Sequence, residues 1–463
     1  MLSRFKTTAG LMIATGALLM LPGAAQADTL HATPDGSGTT CSAAAPCQLQ
    51  TAVVDQSAGG DTVVVHPGSY DLGVEQLVIK AGLTVRGVGP GRRPVITSAC
   101  CENPAVFPTA VQMGLAGAIR DLEIIHPGRE NGGIALDMSP TNGIAPVAER
   151  VVAVGASTGC LIFPGSHDFP LPVLADSVCV STNPNGVAVS GFIFPGDADR
   201  AAELSGVTAH ALGDGGVGLR WSANGTGTGE VVARVSNSII TGDAVDVRTA
   251  EDDELTAAAT VEHSNYDTTD SASGGTITAP GTLGNQTEPP LLVDPGSFDF
   301  TQRPGSPTID AGEDLDAVGK FDLEGNPRIV APAVDIGAHE HRPRCGGKPA
   351  TIVATPGTAT VGTPGRDVIV GTPKADVIRA RGGRDVICAL GGRDRINAGG
   401  GTDQIRAGGG DDRANGGGGK RDKVLGQAKN DVLSGGAGAR DLCHGGPGRD
   451  RSRSSCERVK GTP

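Results

Sequence analysis

Aromatic residues are scarce in this chain: one Trp, two Tyr and nine Phe among 463 residues, 3% in all. A large core without rings has to be built from Val, Ile, Leu and Ala in thin layers, and few flat platforms remain for stacking sugar faces. Also missing is any long stretch with the 3.6-residue apolar period of an amphipathic helix, which excludes helical bundles and α/β sheets. No two cysteines have the CxxC spacing of a zinc site. Beyond the first 21 residues no apolar run is long enough to cross a bilayer. Basic residues are few in the body: positions 1–344 hold 18 Lys and Arg against 39 Asp and Glu. An acidic surface of that kind excludes nucleic acid as a partner.

What is present first is an export signal. Arg4 and Lys6 precede an apolar run over residues 9–21, and Ala25-Gln26-Ala27 forms a small-residue cleavage site. Gly10, Gly16, Pro22 and Gly23 break the run, so residues 1–27 are read as a leader rather than an anchor. The mature chain is expected to begin near Asp28, outside the cytoplasm, with no transmembrane span. An exported chain is expected to oxidise its cysteines. Sequence proximity pairs Cys41 with Cys47, Cys160 with Cys179, and Cys443 with Cys456; Cys345 with Cys388 is a fourth pairing, and Cys100 and Cys101 receive no assigned partner.

From residue 61 onward, short β-branched runs recur between Gly, Pro and Asn turns: 62–65, 83–88, 118–125, 148–154, 174–180, 202–209, 232–240 and 259–266. Leu122, Val151, Val178, Val207 and Ile239 are separated by 29, 27, 29 and 32 residues, room for two or three strands with turns in each repeat. A β-sandwich would space its strands more closely without such a period. The expected body, over 28–304, is therefore all-β, a right-handed parallel β-helix solenoid. Residues 31–70 resemble the opening of pectate-lyase-like β-helix proteins. That resemblance implies a short amphipathic segment near Gln48 to Gln56 that caps the first coil and covers its strand edges.

Three further stretches, GSPTIDAG (305–312), DLEGNPRIV (322–330) and VDIGAHE (334–340), resemble the segment called choice-of-anchor Q in bacterial surface proteins. HSNY at 263–266 and GNQ at 284–286 are similar to the same group. The resemblance implies a segment (305–342) that follows a β-helix and precedes a variable attachment element. We expect it to form the last coil and closing cap, with Asp310, Asp322 and Asp335 bonding turn backbones.

Over 343–463 an aspartate returns every nine residues: Asp367, Asp376, Asp385, Asp394, Asp403 and Asp412, then, after one-residue slips, Asp422, Asp431, Asp441 and Asp450. Glycines crowd the positions before them, and an apolar residue such as Ile369, Ile387 or Val424 follows two positions later. GGPGRD ending at Asp450 fits the whole turn of the haemolysin-type (RTX) nonapeptide repeat, and AGGGTD, AGGGDD and ALGGRD fit it in part. The resemblance implies a parallel β-roll whose aspartates and turn carbonyls bind Ca2+. Glycine lets successive carbonyls converge, and a hard cation wants several oxygens. The departures matter equally. Lys374, Lys420, Lys429 and Ala439 replace glycine, Arg366, Arg384, Arg393, Arg421, Arg440 and Arg449 directly precede aspartates, and the region from Cys345 carries 20 Lys and Arg against 12 Asp and Glu. A metal-free roll held by Arg–Asp pairs and a disordered tail therefore stand as alternatives to calcium.

Catalytic signals are thin. No series of NTD, paired Asp, GHG and RIK motifs occurs, and the DPH motif of epimerases is absent. His210, Asp214 and Arg220 form the best local cluster, with His263 further on, and the acidic run at 251–254 is read as a solvated loop. The expected function is a secreted or surface-attached monomer that binds calcium and scaffolds or binds, with a polysaccharide or cell-wall polymer as partner. A polysaccharide lyase or uronate epimerase is the alternative.

Overall fold

A computed structural model describes residues 27–463 apart from 89–91, 101–107, 114–116, 129–131, 140–144, 164–170, 194–199, 224–228, 252–254, 272–274, 314–320, 329–332, 454 and 461–463. The expected leader before Ala27 and Cys101 lie outside the described residues, as do the side chains of the acidic run at 251–254. The body is a parallel β-helix of three sheets with ten, eight and seven strands. Its inward columns are apolar. Val85, Ile119, Ala148, Leu174, Leu204 and Val235 stack rung on rung in the first sheet. Leu136, Cys160, Val189, Leu219 and Val247 do so in the second. Ile124, Ala153, Cys179, Ala209 and Ile240 fill the third. The Cys160–Cys179 disulfide ties the second sheet to the third across adjacent coils. Trp221 is fully buried inside the coil, where it takes the space that a side chain at Gly191 would fill.

Five of the sequence runs, 118–125, 148–154, 174–180, 202–209 and 232–240, each hold two strands. A single residue in the left-handed region bends the chain from the first sheet into the third, and these residues form their own column: Asp121, Arg150, Asp176, Gly206, Asn237 and His263. The bend also corrects the expected period. Leu122, Val151 and Val207 share one position, but its other members are Ser177 and Ser238, and Val178 and Ile239 sit one residue further on. Serine is tolerated in this buried column because its hydroxyl is satisfied twice. Ser177 Oγ accepts Val151 N–H at 3.1 Å and donates to Ala175 O at 2.6 Å, and Ser238 Oγ does the same with Val207 N–H and Ser236 O.

At the N-terminal end one helical turn, Thr51–Gln56, buries Ala52 and Val53 over the first coil, as the pectate-lyase-like opening implied. The other end is closed by the residues similar to the anchor group. Asn265 bridges Gln286, Ser264 N–H donates to Asn285 Oδ1 at 2.9 Å, and Asn285 Nδ2 donates to Val261 O at 2.7 Å. The described residues of 305–342 therefore do not make the expected cap. Leu323, Ile336 and Ala338, joined by Leu292 and Phe300, form a strap on the flank that packs onto Val154, Val178, Val180 and Ile239 of the third sheet. Arg328, 1% exposed, fixes this strap: its Nε donates to Asp176 Oδ1 at 2.7 Å, and its Nη2 donates to Gly206 O and Gly337 O. Asp322 and Asp335 do bond turn backbones, accepting N–H groups from Asn326 and from Asp310 and His341.

The C-terminal region is a parallel roll. Seven strands and six strands make two facing sheets, with Ile369, Ile387, Ile405 and Val424 opposite Ile378, Ile396, Ala414 and Leu433 in a core one side chain thick. Both one-residue slips fall on the same edge, where Arg421 N–H donates to Ala439 O of the next coil, so neither sheet loses register. All four assigned disulfides form. Cys100 is disulfide-bonded too.

Candidate metal centre

The roll sorts its aspartates onto two edges. Asp367, Asp385, Asp403, Asp422 and Asp441 stack on one, and Asp376, Asp394, Asp412, Asp431 and Asp450 on the other. The stacking is hydrogen-bonded throughout: each Oδ1 from Asp385 onward accepts the backbone N–H of the aspartate one coil earlier, at 2.8–2.9 Å. Sequence reasoning missed the last member of the first edge. Glu457 supplies a carboxylate oxygen to Asp441 N–H at 2.8 Å, an acid one methylene longer in a turn without the glycines that flagged the others.

The second oxygens are the informative ones. Oδ2 of Asp385, Asp394, Asp403, Asp412, Asp422, Asp431, Asp441 and Asp450 is buried with no hydrogen-bond partner. Leaving a carboxylate oxygen dry and unpaired is costly, because the charged form loses its hydration. Burial accordingly pushes Asp394 and Asp431 up to about 7 and Asp403 and Asp422 up to about 6; Asp385 and Asp412 are raised as well. Asp367 and Asp376 differ. Thr363 and Thr372 donate backbone N–H and hydroxyl groups to them, so their carboxylates are already satisfied.

The expected Arg–Asp alternative is not formed. Arg366, Arg384, Arg393, Arg421, Arg440 and Arg449 are exposed while the aspartates after them are buried, and among the described residues no roll arginine forms an ion pair with an aspartate. Nor does any group of three His, Cys, Asp or Glu side chains gather at one point among the described residues. An ion here has to draw most of its oxygens from the backbone, and the glycines allow that. A Cβ on Gly401 would stand 1.5 Å from Gly383 O and 3.2 Å from Asp403 Oδ1, and one on Gly410 would stand 1.5 Å from Gly392 O and 3.4 Å from Asp412 Oδ1. Carbonyl and carboxylate thus converge where only glycine fits. Oxygen donors, no thiol or imidazole, and buried negative charge without a partner fit calcium, which would supply the missing positive charge.

The catalytic cluster expected from sequence is not assembled. His210 lies on the third sheet, its Nδ1 against Thr241 Oγ1 and its ring edge-on to Phe300 of the strap at 5.4 Å, and burial lowers its pKa. Asp214 is exposed in a turn. His263 pairs with Glu313 at 2.6 Å. Arg220 lies on the second sheet beside Arg248, which pairs with Asp270 at 2.9 Å, and forms no ion pair among the described residues.

Residues 361–396, 389–420 and 417–451 match the family described as RTX calcium-binding nonapeptide repeat (4 copies), so the roll carries RTX calcium-binding repeats. No curated protein matches the chain. Among solved structures, it is similar to the pectate lyase Pel9A, with 11% identity and a TM-score of 0.35 over 69% of this chain and 98% of that one. It is also similar to the A-module of the Azotobacter vinelandii mannuronan C-5 epimerase AlgE4, with 11% identity and a TM-score of 0.26 over 88% and 91%. Neither likeness is close enough to carry chemistry across; the parallel β-helix rests on the register of its own strands.

Proposed function

We propose that this is an exported, calcium-loaded binding protein, working as a monomer outside the cell or at its surface, with a polysaccharide or cell-wall polymer as partner. The eight buried, unpartnered carboxylate oxygens carry the calcium part of this reading. The disulfides support an oxidising compartment, and the strap's resemblance to anchor segments supports a place at the cell surface. Calorimetry of the mature chain with calcium, with chelator and with magnesium tests it. Calcium alone should raise one of two melting transitions, and a thermogram indifferent to calcium would overturn the reading.

A lyase or epimerase is favoured by one observation, Arg220. It is half-buried on the second sheet, next to a second arginine and with no acid partner among the described residues, a setting suited to a uronate carboxylate. Incubation with uronate polymers, followed by the absorbance of unsaturated product or by the change in sugar configuration, separates the readings. Turnover lost in Arg220→Ala would replace the binding-only reading with the enzyme.

A further inference from the structure

The two faces of the roll are unlike. On the seven-stranded sheet, Val368, Val370, Val386 and Cys388 are covered by Cys345 and Ala350, and the Cys345–Cys388 disulfide fastens that cover. Among the described residues the six-stranded sheet has no such cover, and its outer surface sets arginines among Val361, Val377 and Val432. Arg395 and Arg413 stand on adjacent rungs of one column, with Arg451 two rungs on. In the neighbouring column Val361 is followed by Arg379, Asn397, Asn415 and Ser434. All of these except Val361 and Arg451, together with Arg453, Val377 and Val432, line an open groove of about 380 Å³. All five arginines are exposed, and none forms an ion pair with a described residue. Asp411, at the margin of the face, is engaged by Asn430.

We propose that this arginine–asparagine face is a docking surface for an acidic polysaccharide that carries one carboxylate per sugar. The inference rests on the binding reading above and gives it a place and a ligand class. Three features select the ligand. Unpaired guanidinium groups on a flat surface call for anions that take two parallel N–H bonds, as carboxylates do. Adjacent rungs stand ~4.8 Å apart, so Arg395 and Arg413 can engage carboxylates of neighbouring sugars in a regular polymer. The charges of a folded protein surface have no such period. Beside the arginines runs a column of neutral amides and a hydroxyl, which can meet sugar hydroxyl groups and has no use against a bare polyphosphate. The groove is lined by no aromatic ring, so contact is along the edges of the sugars rather than by stacking.

The test uses the full mature chain with calcium present, titrated with a short galacturonate oligomer that stays soluble, with a dextran oligomer and with polyphosphate of similar length. Arg395→Gln combined with Arg413→Gln removes two charges from the face without touching an aspartate turn. Arg384→Gln combined with Arg449→Gln removes the same charge from the turns. The expected result is galacturonate binding that weakens with salt, falls at least tenfold in the face variant and changes less than threefold in the turn variant, with no dextran binding. Equal losses in both variants would overturn the proposal, because net charge rather than this face would then be responsible. Polyphosphate bound as tightly, with the same loss in the face variant, would replace the polysaccharide with a phosphate polymer. Binding of a second copy of the chain instead, seen as a dimer abolished by the face variant, would also overturn it. Calorimetry of the same samples keeps the two readings apart. A roll that responds to calcium but binds no oligomer removes this inference alone, whereas a roll indifferent to calcium removes the reading beneath it.

Discussion

The body and the roll are both parallel solenoids, yet they treat polar groups at their turns in opposite ways. In the body, the buried serines beside the bend satisfy themselves: Ser177, Ser238 and Ser264 each accept an N–H from the coil before and donate to a carbonyl of their own coil. In the roll the aspartates use one oxygen for the ladder and leave the other without a partner. The cores differ in the same sense. The body packs three walls of Val, Leu, Ile and Ala around a continuous interior, while the roll has a single file of Ile and Ala between two sheets. A solenoid with enough apolar area to fold alone can close its turns with serine; one without it leaves a charge deficit that an ion completes.

The largest test of that contrast is removal of calcium. An ion that binds only the folded form adds ~2.7 kcal/mol per site when present at about 100 times its dissociation constant. Several such sites together rival the whole stability of a domain, about 5–15 kcal/mol. Chelator should therefore abolish the roll's melting transition and leave that of the body in place, as read by calorimetry and far-ultraviolet circular dichroism. A body transition that fell equally would show that the two solenoids melt as one.

Next in size is Arg328→Ala. This buried guanidinium is a counterpart in the body to the roll's buried charges, and it is protein-paired, facing Asp176 at 2.7 Å and Glu340 at 3.8 Å. Removing it leaves acids unmatched, and breaking a buried pair in that way costs about 3–5 kcal/mol. Urea titration should show the body destabilised by that amount with or without calcium. A calcium-sensitive loss would mean that the strap and the roll are coupled.

The pH dependence should reverse with the ion. Without calcium, Asp394, Asp403, Asp422 and Asp431 sit at about 6 to 7, above the 3.8 of an unfolded aspartate. Between those values the folded roll holds more protons than the unfolded chain, so its stability falls as pH rises from 4 to 7. With calcium the ion requires ionised carboxylates, and stability should rise over the same range. Thermal melts at several pH values, in chelator and in calcium, give the two slopes. Slopes of the same sign would mean that these aspartates are not the ligands.

Much of the architecture was legible in the sequence, and the unread parts have physical reasons. The nine-residue aspartate period named the roll because glycine and aspartate recur together at its turns. Four disulfides were readable because stacked coils bring near-neighbours in sequence together. The second sheet went unread. Its strands, such as Thr158–Ile162 and Val217–Ala223, contain Gly, Cys, Ser and Trp, which carry no β-branched signature. Left-handed bends at Asp121, Arg150 and Asp176 were hidden as well, because those residues are ordinary anywhere else. The strap's position on the flank could not be read, since Arg328 and Asp176 lie 152 residues apart. The aspartates were visible as candidates, but only their second oxygens distinguish eight open turns from the two closed by Thr363 and Thr372.

The smallest expected effect isolates the turns themselves, because both solenoids place non-glycine residues in the left-handed region. In the body these residues are held by their side chains. Arg150 grips Asp121 through two N–H bonds of 2.7 and 3.0 Å, and Asn237 exchanges two bonds with the Glu313 backbone at 2.8 Å each. In the roll, Leu390 at φ 68° is exposed and Gln427 at φ 81° is exposed too, at positions where neighbouring coils carry Gly408 and Gly446. A left-handed residue with a Cβ costs ~1–2 kcal/mol, partly offset by the greater freedom that glycine has in the unfolded chain. Leu390→Gly and Gln427→Gly should each stabilise the roll by about 0.5–1 kcal/mol, whereas Asn237→Gly should destabilise the body, since the two backbone bonds it loses are worth about 1 kcal/mol each. One backbone conformation would then give opposite signs in the two halves of one chain. Equal signs in the calorimetric midpoints would place the cost of the turn in the backbone alone, with no part for the side-chain bonds that set the body apart.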